Sequence, residues 1–119
     1  MFPIYFRLLT LLSFHAFLSE KVSATVLEVG IGGLYDSTNI VPKPIAAGIT
    51  SLGLDHQAVL GNTIEEIARN KAGIFKEGCP AVVVEQEIPA AAETVRKYAE
   101  EIKVDEIDCL TNVSHRHFQ

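Results

Sequence analysis

The chain has 119 residues, of which 48% are hydrophobic and 21% are charged, and its formal net charge is −5. These values fit one globular domain or a piece of one, and they exclude a disordered region, which is poor in apolar residues. The negative balance and the absence of a basic stripe in the sequence give no electrostatic reason to expect a nucleic-acid partner. Cys79 and Cys109 are too far apart for a paired metal motif and too few for a disulfide framework, so we expect free thiols in a reducing compartment.

The first segment, from Pro3 to Lys21, is predicted to be an apolar helix. Arg7, Thr10 and Ser13 mark a narrow polar side, and leucine and phenylalanine cover most of the remainder. Because a helix this apolar requires partners on several sides, we expect a buried helix of a larger α/β domain. The run also resembles the core of a signal peptide, which would make the chain a secreted protein. It is too short to span a bilayer, and we expect no membrane partner.

Two apolar runs, at 25–29 and 45–52, are predicted to be strands. The first is rich in β-branched residues, and the second is flanked by Pro44 and Gly53. The segment between them, 30–44, contains glycines, Asp, Asn and prolines. Long loops of this kind in compact domains are often functional.

Helices and strands alternate in the second half of the chain. A helix is predicted to follow Asn62 as N-cap, with Glu65 three residues on as in a capping box, and to end before Gly78. A strand, an amphipathic helix and a last strand are predicted at 80–85, 89–103 and 107–110. Residues 111–119 have no periodicity and are predicted to be a tail. This order predicts an α/β fold with a mainly parallel sheet and right-handed crossovers.

Side chains that could bind a metal or an anion follow both apolar runs. Glu28 ends the first run, where a carboxylate is costly unless it is paired, metal-bound or able to reach solvent. The glycines of 30–33 let a backbone approach an anion closely, although Tyr35 replaces the last glycine of the dinucleotide fingerprint. Asp55 and His56 end the second run. His56 could be a metal ligand or a structural histidine.

Lys71 lies inside the apolar stripe of the predicted helix, seven residues after Ile64 and four after Ile67. The usual outcome is that such an amine reaches solvent. If the side chain is held inward, desolvation lowers the pKa of its amine, which could then react with CO₂ to give a carbamate near a metal. The sequence contains no G-x-x-x-x-G-K-[ST] phosphate-binding loop.

Together these segments resemble the folylpolyglutamate synthases of the Mur ligase superfamily. The resemblance is carried, in order and at similar spacing, by residues 5–10, 14–17, 28–39, 51–56, 60–63 and 71–76. It implies a partial three-layer α/β sandwich with a mostly parallel sheet, a central fragment of the ATPase domain at 1–110, and a tail at 111–119. Tyr35, in place of a basic residue, favours the monofunctional eukaryotic type. A fragment of a bifunctional dihydrofolate synthase/folylpolyglutamate synthase is the alternative.

The resemblance implies an ATP-dependent tetrahydrofolate:L-glutamate γ-ligase of one-carbon metabolism. ATP would phosphorylate a γ-carboxylate of folate polyglutamates, and the amine of L-glutamate would attack the acyl phosphate to form an amide, with release of ADP and phosphate. The resemblance implies that Glu28 and His56 are Mg²⁺ ligands and that Lys71 is carbamylated. It also implies a loop beside the substrates, formed by Gly32, Gly33, Asp36 and Asn39.

The resemblance also implies that the family's phosphate-binding loop and its C-terminal domain lie outside this sequence. We therefore expect the chain to be inactive by itself, monomeric, and cytoplasmic or mitochondrial. A non-catalytic fragment that acts, if at all, as an interaction module is the alternative, and a secreted small protein is a third interpretation.

Overall fold

A computed structural model describes residues 2–110, with the side chains of residues 4–110. The elements, in chain order, are α1 (Phe2–Glu20), a 3-10 helix (Ser37–Ile40), β1 (Ala47–Ile49), α2 (Gln57–Leu60), α3 (Ile64–Ala72), β2 (Ala81–Val84), α4 (Pro89–Glu101) and β3 (Ile107–Leu110). The tail predicted at 111–119 lies outside the described residues.

The three strands form one sheet in the order β1-β2-β3, and both pairs are parallel. In the register, Ala81 of β2 lies opposite Ala47 of β1 on one side and opposite Ile107 of β3 on the other. The segments between the strands contain α3 and α4, as parallel pairing requires. The predicted α/β fold with a parallel sheet is therefore confirmed.

The core lies where α3 and α4 pack on each other and on the sheet. In β2, Ala81 and Val83 are buried and alternate with half-buried Val82 and Val84, the period expected of a strand with one well-packed face. The buried core cluster consists of Ile49, Ala68, Ala72, Phe75, Ala81, Val83, Ala91, Val95 and Ala99. Small residues dominate the helix positions, and they allow the two helices to approach each other closely.

Arg69 of α3 joins the two helices on their exposed side. Its guanidinium donates to the Glu101 carboxylate at 3.0 Å and lies 5.1 Å from the centre of the Tyr98 ring. The hydrogen bond to Glu101 raises the pKa of Arg69 above its usual range. The contact is exposed to solvent, so it orients the helix pair more than it stabilises the fold.

The prediction of a strand at 25–29 was wrong. This stretch has no strand assignment, and Val26 is 96% exposed. Its β-branched residues favour a strand only where a neighbouring strand supplies hydrogen bonds and packing, and no described strand pairs with it. The second strand is shorter than the predicted 45–52, because pairing with β2 covers only Ala47–Ile49.

The predicted cap of α3 is displaced by one residue. Thr63, not Asn62, is the N-cap, and its side chain accepts a hydrogen bond from the Glu66 amide. The Glu66 carboxylate in turn accepts from the amides of Asn62 and Thr63, at 2.7 and 3.2 Å. The helix ends at Ala72 with Gly73 as C-cap, earlier than predicted.

α1 confirms the predicted helix, but its contacts differ from those expected. Thr10, on the predicted polar side, is buried, and its hydroxyl lies 2.8 Å from the Ser37 hydroxyl in the 3-10 helix. Leu8, Leu11 and Leu18 are between 61% and 79% exposed. The described part of the chain therefore does not bury this helix, and the expectation of a helix buried in a larger α/β domain stays a prediction. Within the same residues, no helix combines the length and apolar character that crossing a membrane would require.

The two thiols are free, as predicted. Cys79 is buried beside the start of β2, and Cys109 is exposed on β3.

Candidate functional site

The loop between the glycines and the 3-10 helix is shaped by Asp36. One carboxylate oxygen accepts from the amides of Gly30 and Ile31, both at 3.1 Å. The other accepts from the amide of Thr38 at 2.9 Å and from its hydroxyl at 2.6 Å. Asp36 thereby serves as N-cap of the 3-10 helix. Both of its oxygens are used within the loop, so in this structure Asp36 fixes the loop's shape.

The same loop is joined to the C-terminal end of α3. The amide of Leu34 donates to the carbonyl of Asn70 at 2.9 Å. The side-chain amide of Asn39 donates to the carbonyl of Gly73 at 2.9 Å and to that of Leu34 at 3.1 Å. The last carbonyls of a helix lack intrahelical partners and need donors from elsewhere. The loop supplies them, and we call this contact the loop–helix clamp.

Three glycines make the loop–helix clamp possible. A Cβ on Gly33 would lie 2.8 Å from the carbonyl oxygen of Lys71, and one on Gly73 would lie 2.7 Å from Cα of Leu34. Gly32 has φ +73°, and a Cβ there would collide with the side-chain oxygen of Asn70 in α3 and lie 2.7 Å from Cδ2 of Leu60 in α2. Since Gly32 and Gly33 are buried, the close approach that these glycines permit is an approach to α3.

Lys71 lies inside the loop–helix clamp, between the two carbonyls that the loop caps. Its own carbonyl faces Gly33, and its side chain is half-buried. Ile67 and Ala68 of the same stripe are fully buried. Lys71 therefore lies on the same stripe of α3 as these buried residues, and the ion pairs of the described residues do not include it.

A cavity of about 380 Å³ lies between α1 and the loop. Leu11, Phe14 and Leu34 contribute apolar walls, while Arg7 and Asn39 contribute polar groups. The remaining lining residues are Thr10, Tyr35, Asp36, Ser37 and Ile40. Apolar walls with a few convergent polar groups are typical of a small-molecule site. The loop that lines one side of this open cavity is the one that is clamped to the end of α3.

Glu28 and His56 are both exposed. His56 has a left-handed backbone, with φ 51° and ψ 34°, which is uncommon for a residue with a side chain. Its amide donates to Asp55 Oδ1 at 2.7 Å, and its Nε2 lies 3.5 Å from Asp55 Oδ2. Within residues 2–110, no three His, Cys, Asp or Glu side chains are placed to hold a metal ion. Mg²⁺ usually binds through one or two carboxylates together with waters and substrate phosphates, so Glu28 and His56 could supply only part of such a site.

Sequence reasoning missed two residues that organise this region. Asn70 accepts the hydrogen bond from Leu34, and its side chain contacts Gly32. Gln86 binds three backbone groups at the ends of β1 and β2. A glycine inside a helical pattern, as at Gly73, was a sequence signal for a close backbone approach. Gln86 gave no such signal, because two of its three partners, Thr50 and Leu52, are more than 30 residues away along the chain.

No protein-family model matches the chain. A folylpolyglutamate synthase of Saccharomyces cerevisiae strain YJM789 is 55% identical over 101 residues, which cover 85% of this chain and 18% of the relative. The relative from strain RM11-1a gives the same values. The chain therefore spans about a fifth of the length of the curated relatives it matches.

Solved structures give a consistent result. The apo form of L. casei FPGS has a TM-score of 0.80 and 39% identity, and the match covers 89% of this chain and 25% of that one. An FPGS-AMPPCP-folate complex has a TM-score of 0.78 at 39% identity, covering 84% and 24%. A ligand-free bifunctional folylpolyglutamate synthase/dihydrofolate synthase from Yersinia pestis has a TM-score of 0.73 at 40% identity, covering 86% and 24%.

Proposed function

Because this chain belongs to the folylpolyglutamate synthase family, we propose that it is a segment of an ATP-dependent ligase that joins L-glutamate to the γ-carboxylate of folate polyglutamates. The observation that carries the proposal is the 55% identity over 101 residues with a yeast folylpolyglutamate synthase. The Mur ligase-type parallel α/β fold is consistent with it. The reaction would pass through an acyl phosphate, with ADP and phosphate as the other products.

The cavity beside the loop is our candidate for one end of the folate substrate. Its apolar walls suit a flat aromatic ring, and Arg7 supplies a positive charge for an anionic group. Asn39 and Asp36 line the same cavity and hold the loop that lines one side of it. A related FPGS structure contains folate together with the nucleotide analogue AMPPCP, which supports binding of both substrate classes by the whole ligase.

Lys71 is our candidate catalytic residue, and Glu28 and His56 are our candidates for Mg²⁺ ligands. Mg²⁺, when bound, would neutralise charge on the transferred phosphoryl group. Such an ion usually takes its remaining ligands from waters and substrate phosphates. We therefore propose that Glu28 and His56 bind it only together with groups beyond this stretch. What this chain itself supplies is a fixed backbone position for Lys71 in the loop–helix clamp.

We further propose that the chain alone does not catalyse ligation, because it spans only 18% of its curated relatives. We expect residues 1–110 to be a partial central domain. A monomeric state and a cytoplasmic or mitochondrial location complete this proposal.

A segment exchange tests the kinship. The 101 matched residues of the yeast folylpolyglutamate synthase are replaced by those of this chain, and ATP-dependent glutamylation of tetrahydrofolate is measured in the purified chimera. We expect activity, and we expect Lys71→Ala in the chimera to abolish it while Lys43→Ala, in the exposed segment before β1, leaves it intact. A folded chimera without activity would refute the assignment. Glutamylation by the unmodified chain alone would refute our claim that it is inactive.

The bifunctional alternative has one observation in its favour, the 40% identity with the Yersinia pestis enzyme. The same chimera separates the two. When the chimera is given dihydropteroate, ATP and L-glutamate, formation of dihydrofolate with ADP and phosphate would favour the bifunctional type. The higher identity with the yeast relative leads us to expect glutamylation of tetrahydrofolate alone.

A further inference from the structure

Gln86 lies where the pairing of β1 with β2 stops. Ile49 and Val83 are the last partners in that register. Beyond them, the backbone amide of Glu85 donates to the carbonyl of Leu110 at 2.9 Å, so it bonds toward β3. The chain after β1 therefore needs another partner for its backbone groups.

The side-chain amide of Gln86 provides that partner. Its oxygen accepts from the amide of Leu52 at 2.8 Å, and its nitrogen donates to the carbonyl of Thr50 at 3.1 Å. The same nitrogen donates to the carbonyl of Val84 at 2.6 Å, which anchors the side chain to the end of β2. One half-buried side chain thus ties together the ends of two strands.

This arrangement matches the hydrogen-bond pattern of a parallel sheet. A strand residue lies opposite one residue of the neighbouring strand. Its amide donates to the carbonyl of the residue before that one, and its carbonyl accepts from the amide of the residue after it. Thr50 and Leu52 are the two residues that flank Ser51. The Gln86 amide therefore occupies the place that a backbone residue opposite Ser51 would hold, and it needs both a donor and an acceptor to do so.

We propose that Gln86 is a positioning residue whose side-chain amide takes the place of one strand residue, holds 50–52 extended and sets the course of the chain into Asp55 and His56. Leu52 packs against the core at this point, so the segment is fixed on one side by burial and on the other by Gln86. The inference rests on the proposed function only where it treats His56 as a functional residue.

The test uses the whole chain and NMR. Gln86→Met keeps the length of the side chain and removes both hydrogen-bonding functions, and Glu87→Met, at an exposed neighbour, is the matched control. In Gln86→Met we expect about tenfold faster hydrogen exchange of the Leu52 amide. We also expect shifted ring resonances of His56, with unchanged exchange of the buried Val95 amide. Glu87→Met should leave Leu52 and His56 as in the wild type.

Leu52 exchange within about twofold of the wild type, or unmoved His56 resonances, would overturn the proposal. Should Gln86→Met fail to fold, the wild-type chain still decides. The side-chain NH₂ protons of Gln86 must exchange more slowly than those of Gln57, whose Nε2 makes an exposed, long hydrogen bond of 3.4 Å to the carbonyl of Asn62. Equal rates would overturn the inference. None of these measurements needs ATP, folate or glutamate, so a failed segment exchange would leave this result standing.

Discussion

Replacing Gly73 by alanine tests the loop–helix clamp directly. Gly73 has φ −58° and ψ −8°, a conformation that alanine adopts without strain. The substitution is therefore compatible with the backbone conformation, and any loss of stability must come from packing. An alanine Cβ would lie 2.7 Å from Cα of Leu34 and 2.8 Å from its Cδ1. Because Cα belongs to the backbone, the loop itself must move away from α3.

The expected loss of stability follows from three contributions. Overpacking of this kind costs about 1–3 kcal/mol. Displacing the loop weakens the Leu34–Asn70 and Asn39–Gly73 hydrogen bonds, each worth about 0.5–1.5 kcal/mol. Reduced freedom of the unfolded chain returns about 0.4–1 kcal/mol. With about half of that hydrogen-bond energy lost, the net expectation is a destabilisation of about 2 kcal/mol, or a urea midpoint lower by about 1 M.

Urea unfolding followed by circular dichroism measures this difference. Gly53→Ala is the matched control, because a Cβ at Gly53 meets nothing within 4 Å. It should leave stability unchanged or raise it by up to about 1 kcal/mol. If Gly73→Ala is as stable as Gly53→Ala, the loop and α3 are not in the close contact described, and the reasoning about Lys71 fails with it.

Two further changes probe local features. Asp36→Ala removes the acceptor for the amides of Gly30 and Ile31. It should cost about 1–3 kcal/mol and speed hydrogen exchange at those two amides, whereas unchanged exchange would show that Asp36 does not shape the loop. Thr63→Ala should destabilise the chain by about 1 kcal/mol in thermal unfolding, and Asn62→Ala should not. The reverse order would restore Asn62 as the cap of α3.

Elements with a strong local signal were predictable. The capping pattern, the apolar stripe and the alternation of helices with short apolar runs correctly predicted α3, α4 and a parallel sheet. The cap was displaced by one residue, because Asn62 and Thr63 are both good caps and Glu65 and Glu66 both lie at suitable spacing. The sequence alone does not choose between these two caps, because the choice depends on contacts with the rest of the chain.

Features that depend on distant partners were not predictable. The run at 25–29 has strand-like residues but no strand beside it, so composition alone gave the wrong answer. The apolar sequence of α1 predicted a helix buried in a larger α/β domain, but it gave no sign that Thr10 would pack against Ser37. The partner of Thr10 lies 27 residues away along the chain, and the run at 25–29 has no partner among the described strands.

The sequence by itself determined the family and the identity of the candidate residues, because a motif such as that at 28–39 is specific as a string of side chains. Only the tertiary structure decided what Gly33 and Asn39 contact, because the loop and the end of α3 are more than 30 residues apart and meet through backbone carbonyls that no sequence displays. It likewise decided that Gln86 bonds to Thr50 and Leu52, where the pairing of β1 with β2 ends. Backbone groups are common to nearly all residues, so where their hydrogen bonds are satisfied is a property of the fold.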